Sequence, residues 1–174
     1  MAATIEVTGS LAVSLLWTGK ETENRGPTGQ YNTITDTGKI NYSENFTTGT
    51  GAGQTEEFWH DVRILTSGGV EQFDLTSLTQ TILGGSVTKT FSKIKTLVVE
   101  NKSDDADIGI SMTGSNTWGE PLAYPTGIIK IHKNSPFIIA SYRDGWTVDA
   151  TNKVFQIHDL DGSGVTYHIA TIGN

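Results

Sequence analysis

The chain has 174 residues and a mass of 18.7 kDa, the size of one domain rather than two. Twelve basic against 19 acidic residues give a formal net charge of −7, so counterion release on a nucleic acid would not favour binding. There is no cysteine, which excludes disulfides, thiolate catalysis, cysteine-ligated zinc and iron–sulfur clusters. We therefore expect no nucleic-acid partner and no cofactor.

The apolar run at residues 11–17 is too short to cross a membrane, and no basic residue precedes it as in a secretory signal. We therefore expect no membrane partner. Charged residues make up only 18% of the chain, so Thr, Ser, Asn and Gly supply most of the polar surface. Because threonine and the β-branched aliphatics pack well on pleated surfaces, this composition predicts an all-β protein.

The N-terminal third contains two kinds of sequence. Residues 4–7 and 11–17 read as strands separated by the turn formers Gly9 and Ser10. Residues 19–53 are rich in Gly, Thr, Asn and Gln, and they predict either two weak strands or a long arm. Since so long an excursion is uncommon in a compact domain, we expect it to become ordered against a neighbouring subunit. The predicted division is an arm-bearing segment at residues 1–55 and a core at residues 56–174.

The strand signals of the predicted core are stronger. Residues 58–65 and 70–75 form a hairpin across Ser67, Gly68 and Gly69, and residues 87–101 end in an apolar run that predicts a strand covered on both faces. Further strands are predicted at residues 128–131, 137–140, 146–148, 154–157 and 165–172. About ten short strands separated by frequent turns predict an antiparallel β-sandwich, most simply one of the jelly-roll type.

Catalytic and metal-binding signals are weak. None of the four histidines lies in a catalytic or zinc-binding motif, and a strand places the neighbours His158 and Asp159 on opposite faces. The acidic turn with Asp104, Asp105 and Asp107 does not have the spacing of a calcium loop, and such residues are first of all turn formers. We therefore predict no catalytic residues and no metal site.

The tryptophans divide into two groups. Trp17, Trp59 and Trp146 lie in alternating strands, which predicts that they fill the core. Trp118 lies in a loop with glycine and proline close by, so we expect it, together with Tyr124, to contact a partner or a sugar at the surface.

Four segments resemble small virion structural proteins of tailed bacteriophages. They are FDLTSL at 73–78, FSKIKTLVVENKS at 91–103, FII at 137–139 after a proline-containing turn, and VTYHIATIG at 165–173. The resemblance covers about residues 56–174, where the shared features are strand edges and turns. It implies a non-enzymatic β-sandwich that decorates or cements a capsid, or forms part of a tail.

The resemblance also implies partners and a location. The partners would be the major capsid protein or other virion subunits, and the chain would form a homo-oligomer, with a trimer favoured. Its location would be the capsid surface of the virion, and the host cytoplasm during assembly. Residues 1–55 would then supply the arm that docks on the shell or on a sister subunit.

Two other functions stay open at this stage. A carbohydrate-binding module would stack Trp118 and Tyr124 on sugar rings, with calcium held by the acidic turn at residues 104–107. An enzyme is the third choice, because the sequence shows no convergent set of catalytic groups.

Overall fold

The structure, a computed structural model, describes residues 6–24, 31–82, 85–122 and 127–174. The chain divides into a compact unit of residues 1–9 and 46–174 and a second unit of residues 10–45. The division predicted from the sequence, an arm-bearing segment at residues 1–55 and a core at residues 56–174, stays a prediction. The described residues include no α-helix, and the predicted all-β class is confirmed.

The described residues form fourteen strands and one short 3-10 turn at Glu120–Leu122. In chain order the strands are β1 Gly9–Asn24, β2 Tyr31–Thr48, β3 Gln54–Thr55, β4 Glu57–Leu65, β5 Val70–Asp74, β6 Leu78–Ile82, β7 Gly85–Lys89, β8 Lys93–Asn101, β9 Ile108–Ser111, β10 Ile128–Ile131, β11 Pro136–Ala140, β12 Trp146–Thr147, β13 Val154–Asp159 and β14 Val165–Gly173.

Two antiparallel sheets form the sandwich of the compact unit. The five-stranded sheet has the order β11-β8-β14-β4, with β12 also paired to β8. The four-stranded sheet has the order β10-β9-β13-β5. The chain passes repeatedly from one sheet to the other, so that β4, β8 and β14 lie in the first sheet and β5, β9 and β13 in the second. A separate hairpin of β6 and β7 interrupts the passage from β5 to β8.

The core lies between the facing sides of the two sheets. Strand β14 alternates buried and less buried residues along its whole length, as a strand with one covered face should. Phe73 stacks on Phe155 with ring centroids 5.0 Å apart, and Trp59 meets Phe73 edge-on at 5.8 Å. The predicted core position of Trp59 is confirmed, and Trp146 packs against the same core while partly buried.

Candidate interaction surfaces

Strands β1 and β2 form a long antiparallel ribbon. They are hydrogen-bonded neighbours separated by residues 25–30 only, and so short a connection cannot join parallel strands. Ser14 Oγ donates to Asn41 Oδ1 at 2.8 Å, and a Cβ at Gly38 would overlap the indole of Trp17. In each contact, the two residues lie the same number of positions before and after the connection, as in a β-hairpin. The described residues of this second unit, 10–24 and 31–45, are called the ribbon below.

The ribbon has one apolar and one polar face. Successive side chains of a strand point to opposite faces, and side chains that contact each other across two strands share a face. Because Trp17 of β1 contacts Gly38 of β2, the odd positions of β1 share a face with the even positions of β2. This side, the apolar ribbon face, carries Leu11, Val13, Leu15, Trp17, Ile40 and Tyr42, together with the acidic Glu44 opposite Leu11. The opposite side carries Ser10, Ala12, Ser14, Leu16, Thr18, Lys39, Asn41 and Ser43.

The apolar ribbon face is exposed in the single chain. Leu15 and Ile40 are 58% and 61% exposed, and Val13, Trp17 and Tyr42 are also among the exposed large hydrophobic residues. A two-stranded ribbon without a second layer is at best marginally stable in water. Contiguous exposed apolar patches of a few hundred Å² mark interaction surfaces, and these five side chains expose roughly 500 Å². The face is therefore built to be covered.

Trp17 does not lie in the core, and that prediction is wrong. The side chain is 42% exposed and lies across Gly38 on the neighbouring strand. The alternating pattern correctly predicts an apolar strand face for Trp17, but the face belongs to the ribbon and not to the sandwich. A large aromatic ring over a cross-strand glycine shields backbone that glycine leaves bare, which stabilises the pair.

The residues that flank the ribbon are firmly held in the compact unit. The Thr48 hydroxyl accepts a hydrogen bond from Val7 N at 3.1 Å and donates to Val7 O at 3.0 Å. Phe46 is buried, and its ring lies 5.3 Å from that of Tyr142. Both ends of the ribbon therefore begin from fixed backbone.

A buried lysine fixes the loop that follows the ribbon. Lys95 is 1% exposed, and its Nζ donates to Gly51 O at 2.6 Å and to Gln54 O at 2.5 Å. Burial lowers the pKa of Lys95, and the charge of Lys93 lowers it further while that of Asp144 raises it. The lysine thus satisfies two loop carbonyls at the cost of desolvating its own ammonium group.

A second apolar surface is the outer face of the five-stranded sheet, called the outer sheet face below. Its outward-facing residues are Phe58, His60, Val62 and Ile64 of β4, Thr166, His168, Ala170 and Ile172 of β14, Val98 and Glu100 of β8, and Pro136, Ile138 and Ala140 of β11. The ladders place His168 directly between Val62 and Glu100.

The prediction that the apolar run of β8 is covered on both faces is wrong for the single chain. Leu97 and Val99 point into the core and are 1% and 0% exposed, whereas Val98 points outward and is only partly buried. At one end of this face the backbone of Gly9 lies against Ile172, where an added Cβ would be 2.9 Å from Ile172 Cδ1. The run indicates instead a sheet with two apolar faces, of which one is open.

Of the two site residues predicted from the sequence, the structure describes Trp118. Trp118 is 0% exposed, so its predicted surface position is wrong. Its indole meets Trp146 edge-on at 6.2 Å and donates from Nε1 to Thr147 O at 3.1 Å. A backbone hydrogen bond to Val154 O at 2.7 Å pulls the loop onto the end of the sandwich, which buries the ring. Tyr124 lies outside the described residues.

In the acidic turn, the carboxylate of Asp107 contacts other residues of the same chain. Asp107 Oδ2 lies 2.6 Å from Lys130 Nζ and 3.2 Å from His132 Nδ1, while Oδ1 accepts from Lys133 N. The Lys130 hydrogen bond, followed by the Lys133 amide, lowers the pKa of Asp107 to about 2. Across residues 6–24, 31–82, 85–122 and 127–174, no group of three or more side chains is placed to hold a metal ion. These contacts of Asp107 stabilise the conformation of the turn.

Two of the four histidines, His60 and His168, lie on the outer sheet face. His168 Nδ1 lies 3.6 Å from Glu100 Oε2, but both side chains are nearly half exposed on the open outer sheet face. His60 lies on the same face and stacks on Phe58 with centroids 6.3 Å apart.

No known protein family matches the sequence, and no curated protein is significantly similar to it. Among the residues that the structure describes, no helix is both long and apolar enough for a membrane span. The class defined by fold and surfaces is thus an all-β sandwich that carries an additional pair of long strands and has two open apolar faces.

Proposed function

We propose that this chain is a structural virion protein of a tailed bacteriophage, and specifically a capsid decoration, or cement, protein that bridges major capsid subunits. The observation that carries the proposal is the apolar ribbon face, an amphipathic surface with five exposed large side chains. A free monomer has no use for such a face, whereas a docking arm requires one. In this proposal the chain acts at the capsid surface, as a homo-oligomer, after assembly in the host cytoplasm.

The strand orders support a jelly roll. An eight-stranded jelly roll consists of two Greek keys whose strands alternate between two four-stranded sheets. Without β12, the orders β11-β8-β14-β4 and β10-β9-β13-β5 fit that alternation. Jelly rolls serve in viral capsid and lectin domains, so the topology agrees with the proposal without singling it out.

A non-enzymatic role agrees with the same features. The ribbon and the outer sheet face are flat apolar surfaces, which recognise a partner by shape and by burial of area rather than by chemistry. Several weak contacts of this kind on a repetitive shell give tight attachment through avidity.

The carbohydrate-binding alternative loses its principal residue, because the Trp118 ring is buried and cannot stack on a sugar. Its calcium hypothesis also weakens, since Lys130 and the Lys133 amide occupy the Asp107 carboxylate. A glycan array with and without a chelator separates the two functions. Calcium-dependent sugar binding would favour the alternative, and the cement proposal expects no sugar binding.

The ribbon offers a matched pair of variants. Leu15 lies on the apolar ribbon face and Leu16 on the polar face, and both are exposed, at 58% and 68%. Particles from a strain that lacks this gene are mixed with the purified chain and sedimented. We expect Leu15→Asp to lose at least tenfold in affinity for the particles, whereas Leu16→Asp binds like the wild type. Equal loss in both variants, or loss in neither, would contradict the docking role of the apolar ribbon face.

A further inference from the structure

The outer sheet face is apolar at its centre and charged in one row. Val62 is 57% and Ile138 39% exposed, on the two outermost strands of the face. Between them, β14 and β8 carry His168 and Glu100 directly opposite each other. An antiparallel sheet with one face on the core normally turns a polar face to water, and this one does not.

We propose that the outer sheet face binds the same face of a second copy of this chain, around a two-fold axis parallel to the strands between β14 and β8. This goes beyond the proposed function, because it assigns a contact between identical copies and does not depend on a capsid. A rotation about this axis does not change the position of a residue along the strand direction. It does move each strand to the opposite side of the axis. Strand β14 of one copy then lies over β8 of the other.

This axis is favoured because it brings each imidazole to a carboxylate of the other copy. The ladders place His168 and Glu100 in one row and Ala170 and Val98 in the next. Under the rotation His168 of each copy faces the partner's Glu100, and Ala170 faces the partner's Val98. The contact thus contains two symmetric histidine–glutamate pairs. Beside them, the small side chain of Ala170 packs on the larger side chain of Val98 from the other copy. Facing sheets lie about 10 Å apart, a gap that an imidazole and a glutamate can bridge.

A two-fold axis perpendicular to the strands lacks this complementarity. It would set β14 over β14, so that His168 faces the partner's Ala170, and Glu100 of β8 faces the partner's Val98. The imidazole and the carboxylate would then be covered by apolar groups of the second copy, and only contacts within each chain would offset their desolvation, namely His168 Nδ1 to Glu100 Oε2 at 3.6 Å and Lys102 Nζ to Glu100 Oε1 at 3.1 Å.

Pairing through the face rather than the edge follows from the protection of β4. This edge strand covers its exposed amide at Val62 with the Asp61 carboxylate at 2.8 Å. Arg63 lies beside it, with Nε 3.0 Å from Asp61 Oδ2 and a terminal nitrogen 3.3 Å from Glu71. Charged side chains of this kind on an edge strand block the addition of another strand.

The area of the face sets the strength of the contact. Four strands about 4.8 Å apart and four rows about 6.8 Å apart make a patch of roughly 500 Å² on each copy. The pair would bury about 1,000 Å² in total, which lies at the lower limit for a specific interface. We therefore expect a weak dimer, visible at concentrations of about 100 μM.

The experiment mixes two variants of the full chain. Both are made in a Leu15→Asp background, so that association through the ribbon does not contribute. His168→Glu sets two carboxylates against each other across the contact, and Glu100→Lys sets an ammonium group against the histidine of the second copy. Both homodimers should therefore weaken at least tenfold in sedimentation equilibrium.

The 1:1 mixture of the two variants is the decisive sample. Both pairs between the copies become attractive in it, and we expect a heterodimer of near wild-type affinity. The pairs within each chain stay mismatched in the mixture, so only an intermolecular pair explains the rescue.

Two further variants complete the test. Val98→Asp should abolish dimerisation, while Ile128→Asp, an exposed isoleucine on the four-stranded sheet, should leave it unchanged. Circular dichroism establishes that each variant is folded. A background protein that stays monomeric at 500 μM, a trimer insensitive to these changes, or a mixture without rescue would overturn the proposal. None of these outcomes bears on particle binding by the wild-type ribbon, so the two proposals fail separately.

Discussion

Asp159 joins the turn between β4 and β5 to the turn between β13 and β14. The carboxylate is 8% exposed and accepts hydrogen bonds from the backbone amides of Gly68, Asp161, Gly162 and Gly164 at 2.8 to 3.2 Å. Burial raises the pKa of Asp159, but the four amides lower it more, so the pKa lies below its ordinary value. One side chain thus fixes two turns at one end of the sandwich.

The lowered pKa has a defined consequence for stability. The unfolded chain binds a proton at Asp159 more readily than the folded chain, so the stabilisation is present above about pH 4 and is lost as pH falls through the folded pKa. We expect Asp159→Asn to lower the free energy of unfolding by about 1 to 3 kcal/mol at pH 7. In urea titrations this difference from the wild type should shrink towards pH 2. A difference that is the same at pH 7 and pH 2 would contradict the role of the carboxylate.

Trp118 in the core and Trp17 on the ribbon should contribute very differently to the stability of the sandwich. Removal of so large a buried side chain leaves a cavity, so Trp118→Ala should cost about 3 to 5 kcal/mol in urea unfolding. The control is Trp17→Ala on the ribbon, which should change the unfolding of the sandwich by less than about 0.5 kcal/mol. Similar costs for the two variants would mean that the ribbon is part of the cooperative core.

At the scale of the elements, the ribbon differs from the strands of the sandwich in what its sequence predicts. Period-two alternation from Leu11 to Trp17 predicts a strand, and the weak pattern after residue 19 leaves two strands or an arm open. The structure forms two long strands. Which face each residue occupies depends on the pairing of Trp17 with Gly38, and cross-strand register is not encoded locally.

Gly38 provides a test of the ribbon as an element. Any side chain there would displace the Trp17 ring, so Gly38→Val should disturb the apolar ribbon face while the sandwich stays intact. We expect the Trp17 indole N–H resonance to shift in two-dimensional NMR spectra, and affinity for particles to fall at least tenfold. Thr37→Val, on the opposite face, is the control. An unchanged Trp17 resonance in Gly38→Val would show that the two residues are not paired.

Much of the sandwich follows from the sequence. Alternation and turn residues identify β4, β5, β10, β11, β13 and β14 close to their observed bounds, whereas the single strand predicted at residues 87–101 is interrupted at residues 90–92 and forms the end of β7 and all of β8. The burial of Trp118 does not follow, because a nearby glycine and proline indicate a loop but do not say whether the loop folds back over the core. The sequence likewise identifies Asp159 only as a turn former. Its hydrogen-bond donors lie in two turns that are far apart in the chain, one after β4 and one after β13.

At the scale of the whole molecule, the chain combines a sandwich that has its own core with a ribbon that has none. The compact unit buries Trp59, Phe73, Phe155 and their neighbours without outside help. The ribbon exposes large apolar side chains such as Leu15 and Ile40, and we expect it to gain stability by docking on a partner. The central claim is therefore that this protein functions by presenting apolar surfaces on a rigid β scaffold to other subunits.

The most direct test is a cryo-electron microscopy reconstruction of particles released by the strain that carries this gene. We expect density for the sandwich at regular positions on the shell, with Leu15 and Ile40 of the ribbon seated against a neighbouring subunit. Particles that lack the protein, or that carry it with the apolar ribbon face open to solvent, would contradict it.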